Sequence, residues 1–203
     1  MAKCGVCFRH CEIPEGGTGF CGARGCQEGR VVPLNYGLLT ALALDPIEKK
    51  PLTRFRPGSR ILSLGSWGCN LRCPFCQNHE ISWSAEAMTW GKRARRATPE
   101  ALVEAALDCT GRGNIGLAFT YNEPLIGWEF VRDTAKLSHE AGLQNVLVTN
   151  GTAEMAVLEE LGPYIDAMNI DLKGFTEGYY RRVLGGDLET VKALSKGRCS
   201  SAT

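Results

Sequence analysis

The sequence predicts an α/β fold in which parallel strands alternate with helices to form a partial (β/α) barrel, preceded by a small cysteine-rich module. Three observations predict this fold. From residue 59 onward, four apolar runs alternate with helical patterns at intervals of about 20–35 residues, as βαβ units do. The chain has 203 residues, fewer than the roughly 250 of a closed eightfold barrel. Five of its ten cysteines lie within the first 26 residues.

These observations predict two parts. Residues 1–58 are expected to form the cysteine-rich module and its connecting strands, because residues 1–30 are poor in long apolar runs and the short runs of residues 31–58 are broken by Asp45-Pro46, Lys50-Pro51 and Pro57-Gly58. Residues 59–203 are expected to form the partial barrel. Since residues 195–203 have neither strand nor cap character, we expect the barrel to be truncated at its C-terminal end.

The composition is that of a cytoplasmic globular protein. Hydrophobic residues make up 44% and charged residues 22%, and the net charge of +1 predicts no nucleic-acid or anionic-membrane partner. No apolar run approaches the roughly 18 residues of a membrane span, and the start of the chain does not resemble a signal peptide. In the reducing cytoplasm, clustered cysteines indicate metal ligands or redox groups rather than disulfides.

The barrel elements follow from apolar periodicity and from the residues that begin and end helices. Thr98 and Pro99 are typical of a helix start, and Gly111 and Gly142 are typical of helix ends. The predicted strands are residues 59–66, 115–120, Gln144–Thr149 and 165–172. The predicted helices are residues 99–110, 125–141, 152–161 and 187–196, with Cys109 on a buried face.

Cys69, Cys73 and Cys76 have the spacing C-x3-C-x2-C on the loop after the first barrel strand. Three thiolates on one loop can ligate three irons of a [4Fe–4S] cluster and leave the fourth iron without a protein ligand, unlike the four cysteines of ferredoxins. An open position on a metal centre is a position for a substrate. The alternatives are a zinc knuckle and cysteines spaced by chance.

Polar residues follow three of the predicted strands, at the edge where ligands bind to βα folds. They are residues 120–124, 149–151 and 169–173. In the last of these, a two-residue period places Asn169, Asp171 and Lys173 on one face, where buried charge is costly without a partner. The alternatives are a helix-start turn, an Asn-Gly turn and a solvated edge strand.

The cysteine spacing, with Phe75 as the aromatic residue before the last cysteine, resembles the radical S-adenosylmethionine (SAM) superfamily. The resemblance implies a barrel of the radical SAM type and a [4Fe–4S] cluster whose open iron binds SAM. It also implies reductive cleavage of SAM to a 5′-deoxyadenosyl radical that abstracts hydrogen from a substrate.

The resemblance extends to the strand ends and implies the residues that contact SAM. Residues 120–124 match the family's Gly-Gly-Glu-Pro segment at Glu123 and Pro124 but depart from it at Tyr121 and Asn122. The Thr-Asn-Gly and Asp-x-Lys patterns resemble those of glycyl-radical activating enzymes. The implied SAM-contacting residues are Phe75, Asn122, Glu123, Thr149, Asn150, Asp171 and Lys173.

Cys4, Cys7, Cys11 and Cys21 suit a second, closed metal site, either tetrahedral zinc or a sealed Fe–S cluster. Reduced cysteines without a ligand role are the alternative. Cys26 is additional to this set.

A narrower resemblance rests on residues 45–52, 68–70, 76–78 and 120–124, which look like the radical SAM protein of the AmmeMemoRadiSam system. That family is related to pyruvate formate-lyase activating enzyme, and its members are longer than this chain. The resemblance implies a low-potential electron donor such as flavodoxin or ferredoxin, and an unidentified substrate for which a protein is one candidate. The alternative functions are a glycyl-radical enzyme activase and a zinc-stabilised binding module.

Overall fold

The structure, a computed structural model, describes residues 1–200, except for the side chains at positions 88, 90, 92 and 198–200. The last three residues of the predicted barrel domain lie outside the described residues. The strands are β1 (Ala2–Lys3), β2 (Glu12–Ile13), β3 (Arg24–Gln27), β4 (Arg30–Pro33), β5 (Leu38–Leu39), β6 (Ala41–Pro46), β7 (Arg60–Gly65), β8 (Arg95–Arg96), β9 (Asn114–Phe119), β10 (Gln144–Thr149) and β11 (Ala167–Ile170). The helices are α1 (His79–Ser82), α2 (Pro99–Asp108), α3 (Trp128–Glu140), α4 (Met155–Leu161), α5 (Glu177–Tyr179) and α6 (Leu188–Ser200).

A five-stranded sheet organises the fold, with the spatial order β11-β10-β9-β7-β6. β7, β9, β10 and β11 are parallel neighbours, and β6 pairs antiparallel with β7 at one edge. Helices α2, α3 and α4 each connect one parallel strand to the next, so the predicted βαβ units are confirmed. The chain has an α/β fold with a parallel sheet. Closure toward a barrel stays a prediction.

The two faces of this sheet are buried against different partners. Side chains of β7, β9 and β10 that point toward α2, α3 and α4 form the main hydrophobic core, among them Leu62, Leu64, Leu117, Phe119 and Leu147. Their neighbours point to the other face, where Ile61, Ala118 and Val146 pack with Ile47 from the turn after β6. We call this other face the inner face. Its apolar cluster covers only part of it, which leaves the carboxyl ends of the strands lined by polar residues.

The start of α2 confirms the predicted capping. Thr98 has extended backbone and accepts a hydrogen bond from the Ala101 amide at 3.3 Å, and Pro99 occupies the first helical position. Cys109 is buried, as its place on the apolar face predicts.

Several predicted boundaries differ from the structure, and three of the differences have identifiable causes. α4 begins at Met155 rather than 152, because Ala153 bridges to Cys7 and the Glu154 amide donates to the Val6 carbonyl. β11 ends at Ile170 rather than 172, because its ladder partner β10 ends opposite it at Thr149. The helix predicted from residue 125 begins with a 3-10 turn, Pro124–Gly127, before α3.

The N-terminal segment packs directly on the sheet domain. Val6 belongs to the main core, and the nearly buried Arg24 makes an ion pair with Glu129 of α3 at 2.6 Å. β6, on the N-terminal side of the predicted division at residue 58, is hydrogen-bonded along its length to β7. The division of the chain into two parts stays a prediction. None of the helices within residues 1–200 combines the length and apolar character that crossing a bilayer requires.

Gly116 allows β9 and β10 to approach each other. A Cβ atom at this position would overlap the Gln144 carbonyl oxygen and lie 2.6 Å from the Gln144 amide nitrogen, both of them backbone atoms of the paired strand. We expect Gly116→Ala to lower the free energy of unfolding by about 2–3 kcal/mol, measured by urea denaturation. Gly111→Ala is the control, because no atom lies within 4 Å of a Cβ there. Equal stability of the two variants would contradict this packing.

Candidate functional site

A cavity of about 350 Å³ lies at the carboxyl ends of β9 and β10, beside the cysteine loop that follows β7 and the segment that follows β11. Its lining contains all three cysteines of the C-x3-C-x2-C motif and all seven residues with implied SAM contacts. These residues are Cys69, Cys73, Phe75, Cys76, Asn122, Glu123, Thr149, Asn150, Asp171 and Lys173. The structure therefore brings together residues that lie far apart in the sequence, from Cys69 to Lys173.

The cysteine loop is held tightly at its start. Gly68 has φ +94°, and a Cβ there would lie 2.7 Å from the Cys21 carbonyl oxygen, so glycine is required by both conformation and space. The Arg72 guanidinium donates to the Cys69 carbonyl at 2.8 Å and to the Phe20 carbonyl at 2.7 Å. These contacts fasten the loop to the N-terminal segment.

The Cys69 thiol lies in a buried environment. Burial, reinforced by the nearby Glu123 carboxylate, raises the pKa of Cys69 to about 12, and burial also raises the pKa of Cys73. Such thiols are protonated at neutral pH unless a cation stabilises the thiolate. The site is therefore suited to a positively charged metal group rather than to a free thiolate nucleophile.

The Glu123 carboxylate joins the ends of β9 and β10. Only 3% of Glu123 is exposed, and its oxygens accept hydrogen bonds from Thr149 Oγ1 at 2.7 Å, the Asn150 amide at 2.8 Å and the Leu125 amide at 3.0 Å. Burial raises the pKa of this carboxyl group. Three donors compensate for the loss of water that burial entails.

Asn150 extends this network to the cysteine loop. Its side-chain amide donates to Asn70 Oδ1 at 2.9 Å and lies 3.7 Å from Cys69 Sγ. Asn70 in turn donates to Thr152 Oγ1 at 2.8 Å. The end of β10 thus sets the position of the residue next to Cys69.

Asn122 holds the segment that leads into the same loop. Its Oδ1 accepts from the Ser66 amide at 2.9 Å, and its Nδ2 donates to the carbonyls of Trp67 and Gly68 at 3.1 and 3.2 Å. The side chain is committed to the backbone that leads into Cys69. A direct contact with SAM stays a prediction for this residue.

Asn169, Asp171 and Lys173, which are predicted to share a face, are joined by hydrogen bonds. Asn169 Nδ2 donates to Asp171 Oδ1 at 2.6 Å, and Lys173 Nζ donates to Asp171 Oδ2 at 3.0 Å. Burial alone would lower the pKa of Lys173, but the Asp171 carboxylate outweighs burial and raises it. Lys173 is therefore a stable cation on the cavity wall, close enough to Cys73 to act on its charge.

Several residues of this wall are not among the predicted site residues. Tyr121, Trp83 and Val148 line the cavity, while Phe75 lies at its mouth with 54% of its surface exposed. The indole Nε1 of Trp83 is buried and has no hydrogen-bond partner within the described part of the chain. Trp83 lies a few residues after Cys76, the last cysteine of the loop. This proximity is the only feature of the sequence that indicates a place in the site.

Cys4, Cys7, Cys11 and Cys21 line one small internal cavity, next to Arg9 and Asn70. Burial raises the pKa of Cys7, and that of Cys21 to about 11. Cys26 lies apart, in β3, with its sulfur 3.5 Å from Glu15 Oε2.

The geometry of these cysteines differs from that of a single-ion site. Among the described side chains of residues 1–200, no three His, Cys, Asp or Glu residues are arranged to hold one metal ion. Cluster ligands bind different irons and are spaced more widely than the ligands of one ion. A second metal centre stays a prediction.

We expect Glu123→Gln to destabilise the fold, because an amide nitrogen would face the Asn150 or Leu125 N–H donors that now meet a carboxylate oxygen. The expected loss in free energy of unfolding is about 1–3 kcal/mol, measured by urea denaturation. The matched control is Glu104→Gln on the exposed surface of α2, which we expect to change stability by less than about 0.5 kcal/mol. A similar, small effect for both would show that the Glu123 bonds contribute little.

Comparison with known proteins places this site in a family. The family model described as the radical SAM superfamily matches residues 66–196. An uncharacterized protein of Methanocaldococcus jannaschii is 41% identical over 197 residues, covering 96% of this chain and 56% of that protein. The pyruvate formate-lyase-activating enzyme of Clostridium pasteurianum is 30% identical, covering 58% of this chain and 48% of the enzyme.

Two further matches agree with this placement. The pyruvate formate-lyase 1-activating enzyme of Escherichia coli is 26% identical over 64% of this chain and 51% of the enzyme. The chain thus spans about half the length of these relatives. Among solved structures, Streptococcus suis SuiB bound to S-adenosylmethionine shares the fold, with a TM-score of 0.51 and 12% identity over 77% of this chain and 33% of SuiB. This chain belongs to the radical SAM superfamily, whose members are enzymes.

Proposed function

We propose that this chain carries the catalytic centre of a radical SAM enzyme, with Cys69, Cys73 and Cys76 as ligands of a [4Fe–4S] cluster. One observation carries the proposal: the three thiols share a single cavity with all seven residues that the family resemblance implies for SAM. Among the nine cysteines whose side chains the structure describes, no fourth one lines that cavity, so this donor set would leave one iron open.

The residues present fit the cluster in chemistry as well as in number. Buried thiols need a compensating positive group, which the irons would provide. The Leu71 amide lies 3.4 Å from Cys69 Sγ, and Asn150 Nδ2 lies 3.7 Å from it, so both can donate to a thiolate there. When bound, the cluster would supply the electron that cleaves SAM to methionine and a 5′-deoxyadenosyl radical, which abstracts hydrogen from the substrate.

The zwitterionic methionine end of SAM needs both a cation and a carboxylate on the wall. Lys173 and Asp171 supply this pair beside Cys73. Glu123 and Asn122 act differently, since their polar atoms are already used to position Thr149, Asn150 and the start of the cysteine loop. We assign the direct polar contact to Lys173 and Asp171.

Aromatic and apolar side chains would exclude water from the radical. Phe75 stands at the mouth of the cavity, while Trp83 and Val148 line its wall. Exclusion of water and competing hydrogen donors is the main contribution that a protein makes to radical chemistry of this kind.

The remaining parts of the proposal concern partners and compartment. A low-potential donor such as flavodoxin or ferredoxin would reduce the cluster, and the radical SAM protein of the AmmeMemoRadiSam system is the specific relative that residues 45–52 favour. We place the protein in the cytoplasm, because clustered cysteines that bind metal are typical of a reducing compartment.

A glycyl-radical enzyme activase is the second candidate function. The similarity to two pyruvate formate-lyase activating enzymes favours it, and it would make the substrate a protein. A zinc-stabilised binding module is disfavoured, because the chain belongs to a superfamily of enzymes.

Cys73→Ala tests the first metal centre. After anaerobic iron and sulfide reconstitution, we expect the wild-type chain to absorb broadly in the visible range and, with dithionite and SAM, to release 5′-deoxyadenosine. The variant should lose both properties, because two thiolates cannot hold the cluster. Cys109→Ala removes a buried cysteine away from the cavity lining and should retain both. Retained SAM cleavage in Cys73→Ala would refute the assignment.

We also propose that Cys4, Cys7, Cys11 and Cys21 bind a second metal centre, since four thiols line one cavity. Elemental analysis of a Cys69→Ala, Cys73→Ala, Cys76→Ala triple variant isolates this site. We expect the triple variant to retain zinc or iron. Adding Cys7→Ala should abolish this metal, whereas adding Cys26→Ala should not, because the Cys26 sulfur lies outside that cavity. A triple variant without bound metal would rule the second centre out.

A further inference from the structure

Tyr121 has a backbone conformation that tyrosine rarely adopts. Its φ is +71°, in the left-handed region, two residues after the end of β9 and on the lining of the cavity beside the cysteine loop. For a residue with a large side chain this conformation costs about 1–2 kcal/mol. Such strain persists only where the surroundings hold it, and strained residues of this kind cluster at functional sites.

A buried ion pair holds the Tyr121 side chain. Its hydroxyl donates to Asp45 Oδ2 at 2.6 Å, and Lys50 Nζ donates to the same oxygen at 2.8 Å. The Lys50 side chain is only 3% exposed, and its Nζ lies 4.8 Å from the centre of the Tyr121 ring. Hydrogen bonds from Lys50 and Tyr121 prevail over burial and hold the pKa of Asp45 below its usual range, so Asp45 stays a carboxylate.

The ring itself lies against the inner face of the sheet. A Cβ on Gly65 would be 2.9 Å from Tyr121 Cβ and 3.0 Å from its Cδ2, so the ring rests over β7 where there is no side chain. Asn78, just after the cysteine loop, donates to the Tyr121 carbonyl at 2.9 Å. Tyr121 thus contacts the strand below it, the loop beside it and the cavity.

The hydroxyl of Tyr121 uses its only O–H donor on Asp45, and the rest of the side chain is ring carbon. The substrate C–H group from which the radical abstracts hydrogen needs an apolar, water-free surface of this kind beside it. A polar wall would bind water instead. Asp45 and Lys50 are not among the residues that line the cavity, whereas Tyr121 lines it and also bonds to Asp45, so the Tyr121 side chain reaches from the cavity to this ion pair.

We propose that Tyr121 is the floor of the reaction cavity, a positioning and specificity-determining residue whose ring is fixed by Asp45 and Lys50. The proposal rests on the proposed function of the cavity. The ring limits the depth of the cavity and favours substrates that present an apolar C–H group. Asp45 and Lys50 act only through Tyr121.

The test follows the fate of the adenosyl radical when dithionite is the reductant. The sulfur dioxide radical anion combines with a 5′-deoxyadenosyl radical to give a sulfinate, so the share of cleaved SAM recovered as that adduct measures solute access. We compare the wild-type chain with Tyr121→Gly, Tyr121→Ala and Tyr121→Phe, and quantify 5′-deoxyadenosine and the adduct by mass spectrometry. The total amount of SAM cleaved tests the proposed function. The ratio of the sulfinate adduct to 5′-deoxyadenosine tests whether Tyr121 closes the cavity.

We expect the adduct share to rise at least about fivefold in Tyr121→Gly and Tyr121→Ala, because loss of the ring lets the sulfur dioxide radical anion enter the cavity. Tyr121→Phe keeps the ring and should stay within about twofold of the wild-type share. An unchanged share in the Gly and Ala variants, with SAM cleavage intact, would overturn the proposal. Loss of all cleavage in the wild-type chain would instead refute the proposed function on which the floor depends.

A stability comparison keeps the proposal testable if a variant cleaves no SAM. Gly and Ala both remove the ring, but only Ala retains the left-handed strain. We expect Tyr121→Gly to have a higher melting temperature than Tyr121→Ala, and Tyr121→Phe to melt below the wild type because Asp45 loses a donor. Equal melting temperatures for the Gly and Ala variants would contradict the strained conformation from which the proposal starts.

Discussion

The site depends on one buried carboxylate. Glu123 joins the ends of two neighbouring parallel strands through three hydrogen bonds, and Asn150, whose amide is one of the donors, carries the connection on to Asn70 beside Cys69. A buried carboxylate is stable only when donors replace water. Each partner therefore has to be in place for the others to be satisfied, and the cysteine loop takes its position from this requirement.

The same network links the two groups of cysteines. The backbone carbonyl of Asn70 accepts from Arg9 Nε at 2.8 Å, and a hydrogen bond from the Asn70 side chain lowers the pKa of the Cys7 thiol, although burial dominates and raises it overall. Asn70 thus contacts a residue of the N-terminal group while its neighbour Cys69 lines the main cavity. A change at either group would therefore affect the other through Asn70, and the N-terminal segment is part of the support of the site.

Much of this arrangement could be predicted from the sequence, and the limits of prediction have physical causes. The strands and the predicted site residues follow from local signals, namely apolar runs, caps and short motifs, and the parallel sheet then gathers them at one edge. Contacts between distant residues leave no such signal. The bond from Tyr121 to Asp45 spans 76 positions, and the use of Asn122 to hold the backbone of residues 66–68 depends on the register of two strands. The late start of α4 has the same origin, since it follows from pairing with Cys7.

The hydrogen-bond capacity that remains unused shows which residues can recognise a ligand. Glu123, Asn122 and Asn150 are occupied by the protein itself, so they shape the cavity without offering many further bonds. Within the described residues, Lys173 uses one of its three N–H bonds, on Asp171, and Trp83 Nε1 uses none. A ligand that displaced water from this cavity would gain most from groups that still lack partners. We therefore expect Lys173 and Trp83 to contribute most to recognition, because the polar atoms of Glu123, Asn122 and Asn150 are used within the protein.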